Sequence, residues 1–176
     1  MSNNSMLYSL KVGSAITKFL PRKVVLTFAK YIGLIFGFIP GSIVNKIISV
    51  HKIISPNLTE SEYRSRARNV ISYCAQYWVD VFWLRSRRSK HDIEKIVNVE
   101  AINNLQQAIE KAKKNDTGVI LALGHLGSFE LAGAWLATTG VRPLVVAERL
   151  KPPELFELFS NSRNVAGMEV VAHDDN

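Results

Sequence analysis

The chain has 176 residues, of which 47% are hydrophobic, and its formal net charge is +7. This length and this hydrophobic content exclude a disordered protein and fit one domain with an N-terminal appendage. The single cysteine, Cys74, excludes an internal disulfide and a cysteine-rich zinc site, and its apolar neighbours predict a buried, inert thiol. The four histidines show no metal-ligand spacing, so no metal is expected.

The positive charge is concentrated in the first part of the chain. Residues 1–100 contain 15 Lys or Arg and 6 Asp or Glu, whereas residues 101–176 contain 7 and 9. A basic, partly apolar segment indicates a negatively charged partner, and both nucleic acid and an anionic membrane are candidates.

The segment from Val24 to Ile39 is apolar apart from Thr27 and Lys30. As a helix these sixteen residues would span about 24 Å, which is short of the roughly 30 Å hydrocarbon core of a bilayer. A helix lying on an anionic membrane surface fits this length best, and a buried core helix and a true membrane span are the alternatives. The expected anchors to the membrane surface are Lys18, Arg22, Lys23 and Lys30.

Further helices are predicted before residue 90. Gly33 and Gly37 form a G-x-x-x-G pattern that would allow close helix packing. An apolar helix is predicted from Ser42 to Ile54, and a capping box at Thr59-x-x-Glu62 opens a long helix that reaches about Arg85. The basic link at 85–90 has no interleaved aromatic residues for base stacking, which argues against a nucleic-acid partner.

From Ile96 onward the pattern alternates between strands and helices. Such alternation predicts an α/β fold, with N-terminal helices followed by an alternating βαβ sheet that contains parallel pairs. Two regions are expected, namely basic, membrane-associating helices at 1–58 and an α/β domain at 59–176. The predicted strands are 96–99, 119–123, 144–147 and 168–172, and the predicted helices are 101–114, 128–138 and 152–165.

A candidate catalytic pair follows the second predicted strand. The apolar run Val119–Leu123 leads through Gly124 to His125, and Glu130 comes five residues later. His125 and Glu130 can meet only if the histidine lies in a turn and the glutamate in the first turn of the next helix. In that geometry Glu130 orients one imidazole nitrogen and leaves the other free as a base. The alternative is a turn histidine and a glutamate that merely complements the helix dipole.

Three more charged residues are predicted at the same sheet edge. Glu148 and Arg149 end a predicted strand, and Arg163 lies on the helix that follows. Arginine can bind phosphate through two parallel hydrogen bonds, so the group would suit an anionic substrate. A set of surface salt bridges is the alternative.

Three blocks in the chain resemble a known family. The sequence GHLGSFELAG at 124–133 resembles the H-x4-D/E block of the lysophospholipid-type acyltransferases, in the branch that contains the bacterial lipid A late acyltransferases. Residues 145–171, with their AERLKP core, closely resemble phosphatidylinositol mannoside acyltransferases. Tyr77-Trp78 through Phe82 resembles a helix that precedes the domain in the same proteins, and the match runs in register from roughly residue 60 to 172.

The resemblance implies an acyl-CoA-dependent O-acyltransferase of lipid biosynthesis. It would transfer a fatty acyl group, typically palmitoyl, to a mannose hydroxyl of a phosphatidylinositol mannoside glycolipid at the cytoplasmic face of the inner membrane. The enzyme would be peripheral or N-terminally anchored, with acyl-CoA as co-substrate and no other cofactor. The implied catalytic residues are His125 and Glu130, and the implied substrate-binding residues are Glu148, Arg149 and Arg163.

Family members are expected to continue beyond the equivalent of Asn176, so the α/β domain is expected to be incomplete and the chain truncated at its C-terminus. Two alternatives stay open. One is another lipid acyltransferase with a lipid A or lysophospholipid acceptor, and the other is an inactive membrane-binding fragment of such an enzyme.

Overall fold

The computed structural model describes residues 3–86, 89–100, 102–124 and 126–173, with backbone alone for 3–7 and 9–11. These ranges contain eight helices and two strands. The N-terminal helices are α1 (Asn3–Phe19), α2 (Arg22–Phe36), α3 (Ser42–Ile54) and α4 (Glu60–Arg85). The later elements are α5 (Lys90–Ile96), α6 (Ile102–Lys114), α7 (Phe129–Thr138), β1 (Leu144–Glu148), α8 (Pro153–Val165) and β2 (Glu169–His173).

The long helix α4 is the centre of the structure, because α1, α2, α3, α7 and α8 all pack against it. Its start is fixed by the predicted capping box. The Thr59 hydroxyl accepts a hydrogen bond from the backbone N–H of Glu62 at 3.3 Å, and the Glu62 carboxylate accepts one from the N–H of Thr59 at 2.7 Å. The predicted helices at 42–54 and from residue 59 to about 85 are therefore confirmed.

Helix α2 lies directly on the backbone of α4. Gly33 faces the backbone of Ser72 and Gly37 faces Arg68. The close helix packing predicted from the G-x-x-x-G pattern is therefore confirmed. The Ser72 hydroxyl also donates a hydrogen bond to the carbonyl oxygen of Lys30 at 3.0 Å. One face of α2 is thus held by α4 while the opposite face stays exposed.

Helix α3 packs on α4 through a small core of its own. Val44 and Ile48 are buried against Tyr63 and Ala67 of α4. Among the described residues, no helix combines the length and the apolar character needed to cross a bilayer.

A second core joins the far end of α4 to the later elements. It consists of Trp83, Leu84, Ile93, Leu131, Ala134 and Met168. Ile93 belongs to α5, a helix that the sequence analysis does not predict. Ser89 and Asp92 form a capping box at its start, which is the local signal that could have revealed it.

The two strands pair in parallel, from Leu144 opposite Glu169 to Glu148 opposite His173. With α8 between them they form one βαβ unit, which agrees with the predicted strand, helix and strand in this part of the chain.

The wider alternating sheet is not confirmed, and two predicted strands are wrong. Ile96 ends helix α5, and residues 97–99 are irregular. Residues 119–123 form no strand and are exposed rather than buried, with Ile120 98% exposed. In the described chain β1 and β2 pair only with each other, and an apolar run without a hydrogen-bonding neighbour does not form a strand. The division into regions at residue 58 stays a prediction.

Candidate active site

A groove of about 840 Å³ opens beside the middle of α4. Its walls come from α2, α4, α8, the end of β1 and the segment that leads into α7. Most of its lining is apolar or aromatic, and the charged side chains that line it are Arg22, Asp80, Glu148 and Arg163. This volume is within the range of small-molecule sites, which typically combine apolar walls with a few polar groups.

The strongest polar contact beside the groove joins α7 to α8. Glu130, in the first turn of α7, is 5% exposed and accepts hydrogen bonds from Arg163. The Arg163 Nη2 lies 2.6 Å from Glu130 Oε1, and its Nε lies 3.1 Å from Oε2. Burial alone would lower the pKa of Arg163, but the hydrogen bonds and charge of Glu130 outweigh that effect and raise it. The pair is therefore a buried, charge-assisted link between two helices.

Tyr77 of α4 adds a third group to this link. Its hydroxyl donates a hydrogen bond to Glu130 Oε1 at 3.2 Å. Burial, and then the negative charge of Glu130, raise the pKa of Tyr77 well above its usual value, so the phenol stays protonated and remains a donor. The ring stacks on Phe129 with centroids 5.2 Å apart, which fixes the direction of the hydroxyl.

A second ion pair lies three residues further along α4. Asp80 Oδ1 is 2.6 Å from Arg22 Nη2 of α2, and Arg22 Nε donates to the same oxygen at 2.8 Å. Burial raises the pKa of Asp80, although the Arg22 guanidinium and the Ser128 hydroxyl oppose that effect. Since residues three apart share one face of a helix, Tyr77 and Asp80 both face the groove.

The pairing of Arg22 corrects one sequence-based prediction. Arg22 was expected to bind membrane headgroups together with nearby lysines, but its charge is matched by buried Asp80 within the protein. Cys74 also differs from expectation, because the thiol is exposed at the groove instead of buried. Periodicity places Cys74 on an apolar face of α4, but it cannot show whether that face is covered by other elements or lines an open groove.

The structure brings some of the predicted site residues together. Glu130 and Arg163 are in direct contact, and Glu148 lines the same groove. Arg149 lies over the ring of Phe156, with its Cζ 5.5 Å from the ring centroid. His125 lies outside the described residues, so its predicted contact with Glu130 and the catalytic and substrate-binding roles of this set stay predictions.

Sequence reasoning missed the Tyr77 and Asp80 contacts, which join residues 53 and 58 positions apart. No local spacing reveals such pairs. The only available signal is an acid and a tyrosine hydroxyl on a helix face that is otherwise apolar, because buried polar groups require partners.

Backbone groups at the start of α7 also lie beside the groove. In the part of the chain that the structure describes, no group of three His, Cys, Asp or Glu side chains could hold a metal ion. The first backbone N–H groups of α7 have no partner within the helix, and they form the positive end of its dipole beside the groove.

The chain is similar in sequence to mycobacterial proteins and matches one family pattern. Phosphatidylinositol mannoside acyltransferase from Mycobacterium tuberculosis (strain CDC 1551 / Oshkosh) is 31% identical over 99 residues, which cover 54% of this chain and 29% of that protein. The protein of the same name from Mycolicibacterium smegmatis is 34% identical over 97 residues, covering 55% and 30%. The matched region thus spans less than a third of either relative. The sequence pattern described as bacterial lipid A biosynthesis acyltransferase matches residues 6–176. The chain therefore belongs to the bacterial lipid A biosynthesis acyltransferase family.

Proposed function

We propose that the chain contributes to an acyl-CoA-dependent O-acyltransferase whose acceptor is a phosphatidylinositol mannoside. The observation that carries this proposal is the buried Tyr77–Glu130–Arg163 network at the wall of a largely apolar groove. Membership of an acyltransferase family supports the reaction class, and the relatives' names support the acceptor. An acyl chain requires apolar walls, and the groove supplies them.

In the proposed reaction, the acceptor hydroxyl attacks the carbonyl carbon of an acyl thioester. His125 takes the hydroxyl proton as the new C–O bond forms, and general-base catalysis of this kind contributes roughly 10²–10⁴-fold in rate. The tetrahedral intermediate then breaks its C–S bond and releases the coenzyme A thiolate, which accepts a proton. No covalent acyl-enzyme is needed because the thiolate is a good leaving group.

The described residues would shape the site around that reaction. Glu130 and Arg163 hold the start of α7 against α8, and Tyr77 fixes the same carboxylate from α4. The first backbone N–H groups of α7, which have no partner within the helix, would stabilise the negative charge that develops on the carbonyl oxygen. Glu148 and Arg149, at the end of β1, would face the polar part of the substrate, and the reaction would take place at the cytoplasmic face of the inner membrane.

Palmitoyl-CoA turnover by the 176-residue chain tests the proposal, with anionic vesicles and a phosphatidylinositol mannoside acceptor. We expect His125→Ala to reduce turnover by at least about 100-fold, because the base is lost. His91→Ala is the matched control, since His91 is exposed on α5 and does not line the groove; it should keep wild-type turnover.

An acceptor panel separates the alternatives. Acylation of a lysophospholipid or a lipid A precursor in preference to the mannoside would replace the proposed acceptor with another lipid. Absence of turnover by the wild-type chain, with vesicle binding retained, would contradict the proposal and identify a non-catalytic membrane-binding protein.

A further inference from the structure

A second polar residue of α4 faces the start of α7. Tyr77 contacts Phe129 and Glu130, the first two residues of α7, through ring stacking and a hydrogen bond. Asp80 lies three residues further along α4, so it shares that face of the helix. It lines the groove together with Ser128, the N-cap residue of α7. The two helices therefore bring a carboxylate and a hydroxyl to the same wall of the groove.

Ser128 is the residue that ties the turn at 126–128 to the interior. Leu126 is 84% exposed, and Gly127, with φ +61°, has no side chain to bury. The Ser128 hydroxyl is buried, but it does not cap α7, and among the described residues no partner meets it in good hydrogen-bond geometry. A buried hydroxyl without a partner is costly, so we expect an acceptor close to it.

The Asp80 carboxylate is available as that acceptor. It is 5% exposed, and Arg22 of α2 holds it through Oδ1, with Nη2 at 2.6 Å and Nε at 2.8 Å. A carboxylate can accept about four hydrogen bonds, so it can take one more from a hydroxyl. Burial raises the pKa of Asp80, and the nearby Ser128 hydroxyl is one of the groups that oppose this rise.

We propose that Asp80, held by Arg22, accepts a hydrogen bond from Ser128 and thereby positions the turn before α7. That turn separates His125 from the first backbone N–H groups of α7, which would stabilise the oxyanion in the proposed reaction. Displacement of the turn would misplace the base and these donors, and a misplacement of about 1 Å can cost roughly 100-fold in rate. The catalytic consequence rests on the proposed function, whereas the contact itself can be tested without substrate.

Hydrogen–deuterium exchange of the full 176-residue chain, without substrate, tests the contact. Ser128→Ala should speed amide exchange at residues 126–131 by roughly tenfold, because the turn loses its buried anchor, while exchange elsewhere stays at the wild-type rate. An unpaired hydroxyl would give the opposite result, since its removal would leave exchange unchanged or slower, and that result would overturn the proposal. Ser49→Ala is the matched control, because its exposed hydroxyl donates to Asn45 within α3; it should leave residues 126–131 unaffected.

Asp80→Ala shows whether the hydroxyl acts through the carboxylate. It should speed exchange in the same segment, and the double variant with Ser128→Ala should show less than the sum of the two single effects, because both changes remove one contact. Fully additive effects would mean that the two residues act independently and would overturn the proposal. Should the loss of the counter-charge of Arg22 unfold Asp80→Ala, the result for Ser128→Ala alone decides.

Palmitoyl-CoA turnover tests the catalytic consequence. Ser128→Ala should lower kcat by roughly tenfold or more while KM for palmitoyl-CoA stays within about twofold, because the groove keeps its apolar walls. A merely structural contact would not lower kcat selectively in a fully folded variant. Faster exchange with an unchanged kcat would overturn the positioning role. Faster exchange in Ser128→Ala, with no turnover by the wild-type chain, would sustain the contact while the proposed reaction fails.

Discussion

At the residue scale, the carboxylate of Glu130 has two partners of very different importance for stability. Arg163 is a buried cation with a side chain 14% exposed, whereas Tyr77 contributes one neutral donor. Removing the charge of Glu130 leaves Arg163 buried without its counter-charge, and breaking a buried ion pair in this way costs about 3–5 kcal/mol. Removing the tyrosine hydroxyl leaves the ion pair in place and costs about 1 kcal/mol.

Glu130→Gln should therefore lower the free energy of unfolding several times more than Tyr77→Phe does. Urea denaturation followed by circular dichroism measures both. The matched control is Tyr73→Phe, on the same helix, because Tyr73 is 69% exposed and should change little. Equal losses in Glu130→Gln and Tyr77→Phe would contradict the view that the ion pair dominates this network.

The residues of this network show where sequence reasoning succeeds and where it stops. Glu130 and Arg163 could be singled out because each lies beside a recognisable element and within a family-like block. Their contact with each other, 33 positions apart, could not be predicted, and neither could that of Arg22 with Asp80. Such pairs depend on how helices are placed in three dimensions, which leaves no periodic signal in the sequence.

At the scale of elements, helices are predicted better than strands for a physical reason. A helix satisfies its own backbone hydrogen bonds and carries local signals, such as the Thr59 cap and the break before α3. A strand satisfies its backbone only with a partner elsewhere in the chain, so the apolar run at 119–123 reads as a strand although no described strand pairs with it. The pair β1 and β2 was predictable because α8 between them forms a short crossover.

The contact of α2 with α4 allows a sharp test of packing. A Cβ atom added at Gly33 would lie 2.5 Å from the Cα of Ser72 and 3.0 Å from the carbonyl oxygen of Ile71. These are backbone atoms, so they cannot rotate away, and the helices would have to separate. Overpacking of this kind costs about 1–3 kcal/mol, more than the gain in helix propensity of roughly 0.5–1 kcal/mol from alanine.

Gly33→Ala should accordingly lower the melting temperature. Gly118→Ala is the control, since an added Cβ there meets no atom within 4 Å among the described residues. Thermal unfolding of both variants and the wild type measures the change in melting temperature. An unchanged transition in Gly33→Ala would mean that α2 does not pack as closely on α4 as the structure places it.

At the scale of the whole molecule, stability depends on pH through carboxyl groups on the central helix α4. Burial raises the pKa of Asp80 above its ordinary value of 3.8, while hydrogen bonds from Lys52 and Thr59 lower the pKa values of exposed Glu60 and Glu62. These groups act in opposite directions on stability. A raised carboxyl pKa destabilises the folded state as pH rises, and a lowered one destabilises it as pH falls.

The contribution of Asp80 can be isolated by comparing the wild type with Asp80→Asn. Between pH 3.8 and its raised pKa, the folded state binds more protons at Asp80 than the unfolded state does. The contribution of Asp80 to the free energy of unfolding of the wild type therefore falls as pH rises through that window. The fall is complete above the raised pKa. Asp80→Asn lacks the titrating group, so its stability relative to the wild type should increase with pH across the window and then level off. Any constant difference from the altered contact with Arg22 does not change this slope.

Urea denaturation at intervals between pH 4 and pH 7 measures the relative stability directly. Asp116→Asn removes the same charge from an exposed site and serves as the control, and its curve should stay parallel to that of the wild type. If the stability of Asp80→Asn relative to the wild type falls as pH rises, the result would contradict a raised pKa of Asp80. In that case the attraction of Arg22 would outweigh desolvation, and the ion pair between α2 and α4 would be a net source of stability at neutral pH.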